Sequence, residues 1–332
     1  MAKPRLLYYA ALQYAPENLD VLRAAFNVVE LPDQRADRDE VLAEVDAACA
    51  PLGTPMDAER LARFPKLRAI LSNTTGVAHI DMDAVAKRGI EVISLVDEQV
   101  FLAGITATAE HAVGLMLALW RRIPWSYSTV LVGDWNRFDH GAPRMLSRMS
   151  LGIVGLGRLG RRMAGYGAAF GMTVRYFDPH VGADAEEGPA RCATLTELIA
   201  ASDVVSLHAP ATAGTRHMIG EAELAAFRPE AILVNTARGE LVDELALVAA
   251  LHDGRLAGVA TDVLDGEFAP GFSPLEHPLV EYARRHDNVL ITPHIGGSTR
   301  DAWQETQRRV IDRAVAFFNA PAAKPKKTRR KK

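Results

Sequence analysis

The sequence predicts an α/β chain built as two doubly wound parallel-sheet domains. Three observations carry that prediction. A length of 332 residues exceeds one ordinary domain and suits two hydrophobic cores meeting at a cleft, where small ligands usually sit. Short apolar runs alternate with polar, helix-compatible stretches in two separate series, the pattern of parallel sheets. Between the series stands one long apolar-periodic segment, Thr106 to Ile123.

The first series places strands at Leu6–Tyr9, Val28–Val29, Leu67–Leu71 and Ile90–Ile93. The long segment then reads as a helix that Thr106 can cap and that Arg121, Arg122 and Pro124 end. The second series supplies Leu151–Val154, Thr173–Phe177, Val204–Leu207, Ile232–Asn235, Gly258–Thr261 and Val289–Thr292, six strands with helical spacers. A last helix, Thr299 to Phe318, has one apolar face and is expected to return to the first domain, making it discontinuous. The expected boundaries are 1–102 with 298–320, then 103–297, with 321–332 as a disordered basic tail.

Composition excludes several classes. With 48% hydrophobic and 24% charged residues the chain reads as soluble and globular, and no apolar run is expected to reach the roughly 18 residues of a membrane span. The N-terminal stretch has no signal-peptide pattern. Cys49 and Cys192 form neither a disulfide framework nor a metal-ligand spacing, so a reducing cytoplasm is the expected compartment and no metal is expected. The last nine residues hold seven positive charges; removing them from a net −3 leaves the rest at −10. An acidic body with such a tail reads as a folded enzyme with a solvated end rather than a nucleic-acid or membrane binder.

Chemistry enters at Gly155-Leu-Gly157-Arg158-Leu159-Gly160, a G-x-G-x-x-G pattern directly after a strand and heading a helix. Gly155 permits the tight turn, Gly157 lets the backbone approach a pyrophosphate, and Gly160 permits close helix packing. Asp178 follows 18 residues after Gly160, near the offset where an acid receives the adenosine ribose hydroxyl; a carboxylate there repels a 2′-phosphate and favours NAD over NADP. The plainer alternative is that Asp178 only opens a turn before Pro179. Four polar segments follow strand ends further on: Asn235-Thr236-Ala237-Arg238-Gly239, Thr261-Asp262, Asp265-Gly266-Glu267, and Thr292-Pro-His294-Ile-Gly296-Gly-Ser298.

Together with the glycine loop, and with Val205-Ser-Leu-His208-Ala-Pro210 and Thr215-Arg-His-Met-Ile219, these segments resemble the D-isomer-specific 2-hydroxyacid dehydrogenase family from about Leu67 to Ala302. The resemblance implies a Rossmann NAD domain, a flavodoxin-like substrate domain, a homodimer, and hydride transfer between NAD(H) and a small D-2-hydroxy or 2-oxo acid. It makes His294 the acid/base, Glu267 the carboxylate on its far ring nitrogen, and Arg238 the clamp on the substrate carboxylate. Such chemistry needs a proton donor that titrates near neutrality and a guanidinium fork that lysine copies poorly. Cofactor contacts are implied at Gly155, Gly157, Arg158, Leu159, Gly160, Asp178, His208, Pro210, Thr215, Thr236, Ala237, Asp262, His294 and Gly296, and at Thr108 on the long helix. Glu267 is followed by a longer loop than is usual in the family, so Asp265 stands as the alternative partner of His294.

In the first domain Thr75, Gly76 and Val77 resemble the loop whose main-chain amides hold the substrate carboxylate. His79 departs from the family pattern and is read as capping or packing the next helix. Tyr8, Tyr9, Leu52 and Arg144 are candidate pocket residues. Trp120, Trp125 and Trp135 fit either a dimer interface or core packing. Other readings stay open. A phosphite or phosphoglycerate dehydrogenase shares the fold, although Pro51–Thr54 lacks a phosphate-gripping arginine and no regulatory domain is expected after Phe318. A formate enzyme would carry glutamine in place of Glu267. An NAD-sensing, co-repressor-like binding protein would keep the same residues.

Overall fold

The computed structural model describes residues 2–77, 79–182, 188–269 and 271–320, so the expected basic tail at 321–332 lies outside the described residues. Two compact units are present: one built on Met1–Leu102 and the described part of Arg300–Lys332, the other on Ala103–Thr299.

The first unit holds a parallel sheet of β1 (Arg5–Tyr9), β2 (Asn27–Leu31), β3 (Ala47–Cys49), β4 (Ala69–Leu71) and β5 (Glu91–Ile93), in the order β2-β1-β3-β4-β5. That is the flavodoxin-like winding, reversing between β1 and β3. Strand β3 is absent from the sequence expectation because Ala47-Ala48-Cys49 is too short and too small to show a period. Pairing on both sides defines it, Leu6 opposite Ala47 and Ala48 opposite Ile70. The helix Arg300–Asn319 packs on the helix Pro16–Ala25 and on β4 and β5, burying Ala302, Val310, Ile311 and Ala314. Its polar fasteners are Asn18 Nδ2 to the Gln304 carbonyl at 2.8 Å and the Ala15 amide to Gln307 Oε1 at 2.9 Å.

The second unit holds β6 (Ser150–Val154), β7 (Thr173–Phe177), β8 (Ala190–Arg191), β9 (Val204–Leu207), β10 (Ile232–Asn235), β11 (Gly258–Thr261) and β12 (Val289–Ile291). They form one parallel sheet in the order β12-β11-β10-β9-β6-β7-β8, a Rossmann winding whose direction reverses between β6 and β9. The two-residue edge β8 adds a seventh strand to the six expected. Both faces are covered, which is why β9 and β10 are buried throughout and are mostly apolar, Ser206 and Asn235 being their buried polar residues.

The helix Ala107–Trp120 buries Ala109, Ala112, Leu115, Met116 and Leu119 against β10, β11 and the helix Arg158–Ala169. Two expectations are corrected here. Thr106 does not cap this helix; its hydroxyl bonds Glu110 Oε1 at 2.5 Å instead of a main-chain amide. Gln99–Trp120 is also long and apolar enough to cross a membrane by length and composition, contrary to the expected absence of such a run. Ala109, Ala112, Leu115, Met116 and Leu119 lie in the core of the second unit, and 33% of the apolar window as a whole is buried. Trp120 and Trp125 pack against that core, whereas Trp135 is 87% exposed.

Candidate active site

All strands of the second unit run the same way, so the loops after β6, β7, β9, β10, β11 and β12 emerge along one edge of the sheet. The catalytic and cofactor residues expected in 103–299 sit there or on the helices Ala107–Trp120 and Arg158–Ala169, whereas Arg144 precedes β6. At the reversal point Gly155 has φ 89°, and a side chain on it would meet the His208 and Ala209 backbone at 3.0 Å. A Cβ at Gly160 would lie 2.0 Å from the Gly155 carbonyl oxygen, so the helix Arg158–Ala169 can start against the strand only with glycine at that position. Gly157 caps this helix without a side-chain bond, and the helix starts directly after the glycine loop, where a helix N-terminus favours an anion. The Arg158 guanidinium itself donates to the Ile105 carbonyl at 2.5 Å.

Asp178 Oδ2 accepts the Leu156 amide and Oδ1 the His180 amide, both at 2.8 Å. It thus opens the turn and braces the glycine loop, with lone pairs left on both oxygens. The His208 ring bonds Ser206 Oγ at 2.9 Å, and burial pushes its pKa down to about 4. The hydroxyl of Thr215 donates to the Pro210 carbonyl at 2.7 Å, shaping the loop after β9. Thr236 Oγ1 is buried with no partner among the described residues.

Asn235 shapes the next loop from within. Its Oδ1 accepts the Ala237 amide at 3.0 Å and its Nδ2 donates to the Arg238 carbonyl at 2.8 Å. Arg238 is half-buried, and its Nη1 donates to the Ala237 carbonyl at 2.6 Å. The alternative left open by the sequence is resolved by distance: His294 Nδ1 lies 2.8 Å from Glu267 Oε1, whereas Asp265 Oδ2 pairs with Arg216 at 3.0 Å and His217 at 3.3 Å. Phe268 lies against the His294 ring at 5.4 Å between centroids.

His294 has φ 53°, a left-handed conformation that a non-glycine residue holds only when its surroundings impose it. Asp262, 2% exposed, imposes it. Its carbonyl accepts the His294 amide at 2.9 Å. Its carboxylate accepts the Thr292 hydroxyl at 2.5 Å, the Ile295 amide at 2.9 Å and the Gly296 amide at 2.6 Å. His111 Nε2 closes the cluster on Thr292 Oγ1 at 2.9 Å. A side chain at Gly296 would meet the Asp262 carboxylate at 2.8 Å, His111 at 3.4 Å and Thr108 at 3.5 Å, which places Thr108 and the loop together. The organising part of Asp262 and the part of Thr292 were missed from sequence, whereas His111 was read as structural; the Thr-Pro-His run was visible, its fastening was not.

In the first unit the main-chain amides of Thr75, Gly76 and Val77 donate no hydrogen bond among the described residues. The loop is shaped by Ser72 Oγ with Thr74 Oγ1 at 2.7 Å and by Thr74 Oγ1 donating to the Gly76 carbonyl at 2.6 Å. His79 does not cap the following helix; Asp81 does, accepting the Ala84 amide at 2.9 Å. His79 is buried, 3.4 Å from Ser72 Oγ, and burial pushes its pKa down to about 4, so its packing role stands and the charged ring is disfavoured. Three of the four suggested pocket residues are engaged elsewhere. Tyr8 and Tyr9 are buried, Tyr8 Oη accepting the Tyr14 amide and Tyr9 bonding Asp37 and Arg60; Arg144 holds Asp203.

Comparison with known proteins follows the same lines. The family model described as the D-isomer specific 2-hydroxyacid dehydrogenase NAD binding domain matches residues 113–296. A glyoxylate reductase of Thermococcus gammatolerans is 35% identical over 329 residues, covering 96% of this chain and 93% of that protein. The chain spans about half the length of the D-3-phosphoglycerate dehydrogenases it matches, 48% of the Methanocaldococcus jannaschii protein at 34% identity. Among solved structures, an Aquifex aeolicus D-lactate dehydrogenase complexed with NAD and lactic acid superposes with a TM-score of 0.81 at 28% identity, covering 95% of each chain. An NADPH-dependent glyoxylate/hydroxypyruvate reductase from Sinorhizobium meliloti gives 0.78 at 26%, covering 96% of this chain and 94% of that one.

Proposed function

Because the chain belongs to the D-isomer specific 2-hydroxyacid dehydrogenase family, we propose that it interconverts a small 2-oxo acid and its D-2-hydroxy acid with NAD(H), using His294, Glu267 and Arg238. The observation that carries this reading is the His294 to Glu267 contact at 2.8 Å on a loop held in a left-handed turn. A nicotinamide dinucleotide fits the residues present. The uncapped helix after Gly157, the acceptor Asp178 and the unpartnered Thr236 hydroxyl are the groups that would hold it, and when bound it supplies the hydride.

The chain's own residues handle the proton and the orientation. A carboxylate only accepts, so His294 Nδ1 carries the hydrogen toward Glu267 and the opposite Nε2 is left to exchange a proton with the substrate oxygen. Arg238 grips the carboxylate and polarises the carbonyl. Thr75, Gly76 and Val77 are proposed as main-chain donors to a carboxylate, on the strength of their unengaged amides. Substrate classes to test are glyoxylate, hydroxypyruvate, pyruvate, phenylpyruvate and 2-oxoisocaproate, each with NADH. In the best of these His294→Gln should lose roughly 10²- to 10⁴-fold in kcat while NADH still binds. Turnover of none of them, or near-normal kcat in the variant, overturns the reading.

Homodimerisation is proposed from the exposed apolar side chains between Ile123 and Met145: Tyr127, Leu131, Val132, Trp135 and Phe138 are each more than half exposed. A surface of this kind marks an interface. Sedimentation velocity tests it, and a monomer at micromolar concentration removes it.

A further inference from the structure

A second buried histidine–carboxylate pair stands behind the first. His277 Nε2 lies 2.8 Å from Glu244 Oε2, with both side chains under 10% exposed. Neither residue belongs to the proton-transfer set. The same Oε2 accepts the Asp265 amide at 3.1 Å, and Asp265 begins the turn that ends in Glu267. Gly266, at φ 77°, lets that turn close, and the Glu267 amide returns to the Leu264 carbonyl at 3.3 Å.

Two further contacts restrict the turn. The Asp265 carboxylate is held by Arg216 and His217. Gly239, next to Arg238, packs so closely that a Cβ there would lie 2.0 Å from the Leu264 carbonyl carbon and 2.1 Å from the Asp265 nitrogen. Glu244 is therefore the acceptor that fixes the main chain two residues before Glu267. His277 in turn fixes Glu244: the carboxylate can only accept, so His277 Nε2 bears the hydrogen, and its Nδ1 is buried without a partner among the described residues.

We propose that Glu244 and His277 are positioning residues that hold the Asp265–Glu267 turn in register with His294 and so set how strongly Glu267 favours the protonated ring. The proposal rests on the assignment of His294 and Glu267 above. The titratable groups around His294 are Glu267 on its ring, Asp262 beneath its backbone and His111 beyond Thr292. Those around Glu244 are His277 and, through Asp265, Arg216 and His217. Glu244→Ala removes a carboxylate as well as an acceptor, whereas Glu244→Gln removes the same charge and keeps the acceptor, so the pair separates the charge of Glu244 from the placement of Glu267.

The experiment uses the full chain with NADH and the oxo acid it reduces best, comparing pH profiles of kcat for wild type, Glu244→Ala, Glu244→Gln, His277→Ala and Glu267→Gln. Glutamine keeps an oxygen for the Asp265 amide, so Glu244→Gln should restore what Glu244→Ala loses. Glu244→Ala and His277→Ala should each move the reductive limb about 0.5–1 pH unit toward acid, in the direction of Glu267→Gln, because a carboxylate drawn back by an ångström or two loses part of its Coulombic hold. The double variant Glu244→Ala with Glu267→Gln should move it no further than Glu267→Gln alone. A lowered melting temperature with an unmoved limb in both alanine variants, or a failed rescue by Glu244→Gln, overturns the proposal. An unmoved limb in Glu267→Gln instead overturns the underlying pairing, so the two failures are distinguishable. If Glu244→Ala does not fold, His277→Ala decides by the same shift.

Discussion

Replacing Asp262 by alanine should release the His294 loop. Three donors end on its carboxylate: the Gly296 amide is buried, whereas the Thr292 hydroxyl and Ile295 amide are part-buried. A hydrogen bond to a charged acceptor contributes roughly 1.5–3 kcal/mol, and a buried donor left alone forfeits its full desolvation energy. Counting the buried bond fully, the other two at about half, and offsetting the relief of no longer burying a carboxylate gives a local loss of about 2–4 kcal/mol. What then remains on the strained turn at His294 is the ring contact to Glu267 and the main-chain bonds to the Asp262 and Thr292 carbonyls.

A two-unit protein does not unfold as one, so the assay should be local. Native-state hydrogen exchange of the peptide over 289–299 should show the Gly296 and Ile295 amides exchanging about 30- to 1000-fold faster in Asp262→Ala, the ratio equivalent to that energy. A parallel fall in kcat is expected as His294 loses its geometry. If Asp262 served only to grip a cofactor, exchange in the free protein would be unchanged while NADH affinity fell; that result refutes the reasoning.

Arg238→Lys keeps the charge but loses the fork, so KM for the oxo acid should rise about 10- to 100-fold with a smaller change in kcat, and unchanged constants would place Arg238 outside the site. Burial lowers the His79 ring from 6.5 to about 4. Between those values the unfolded chain takes up a proton that the folded chain refuses, so stability is complete above pH 6.5 and falls by about 3 kcal/mol as pH drops to 4. His79→Gln should make that part of the urea-midpoint profile shallower, with His208 still contributing over the same range, and an identical profile in the variant refutes the assignment. NADH should be preferred over NADPH because Asp178 would face the 2′-phosphate, and Asp178→Ala should narrow the ratio of kcat/KM; a wild-type preference for NADPH rejects that role.

The sequence by itself determined the two-sheet α/β fold class and the motifs of the candidate site, because both are local signals. Strands such as Val204–Leu207 and Ile232–Asn235 are buried on both faces and so are mostly apolar. Glycines at 155 and 160 answer to backbone geometry within six residues, and a histidine after Thr292-Pro293 is visible as a motif. What failed locally was short or small: Ala47–Cys49 has no period to read, and Thr106 looked like a cap until its hydroxyl found Glu110.

Only the tertiary structure decided among residues far apart in the chain. Asp265 and Glu267 are equally acidic and two positions apart, so composition could not choose between them. The choice came from Arg216 and His217, which claim Asp265 from a loop about fifty residues earlier and leave Glu267 to His294. Asp262 read from sequence as a ligand contact, and only the structure shows that it also holds the loop that carries His294. His277 and Glu244 carried no motif at all, since a hydrogen bond between residues thirty-three positions apart exists only once β10 and β11 lie side by side and bring the segments that follow them together.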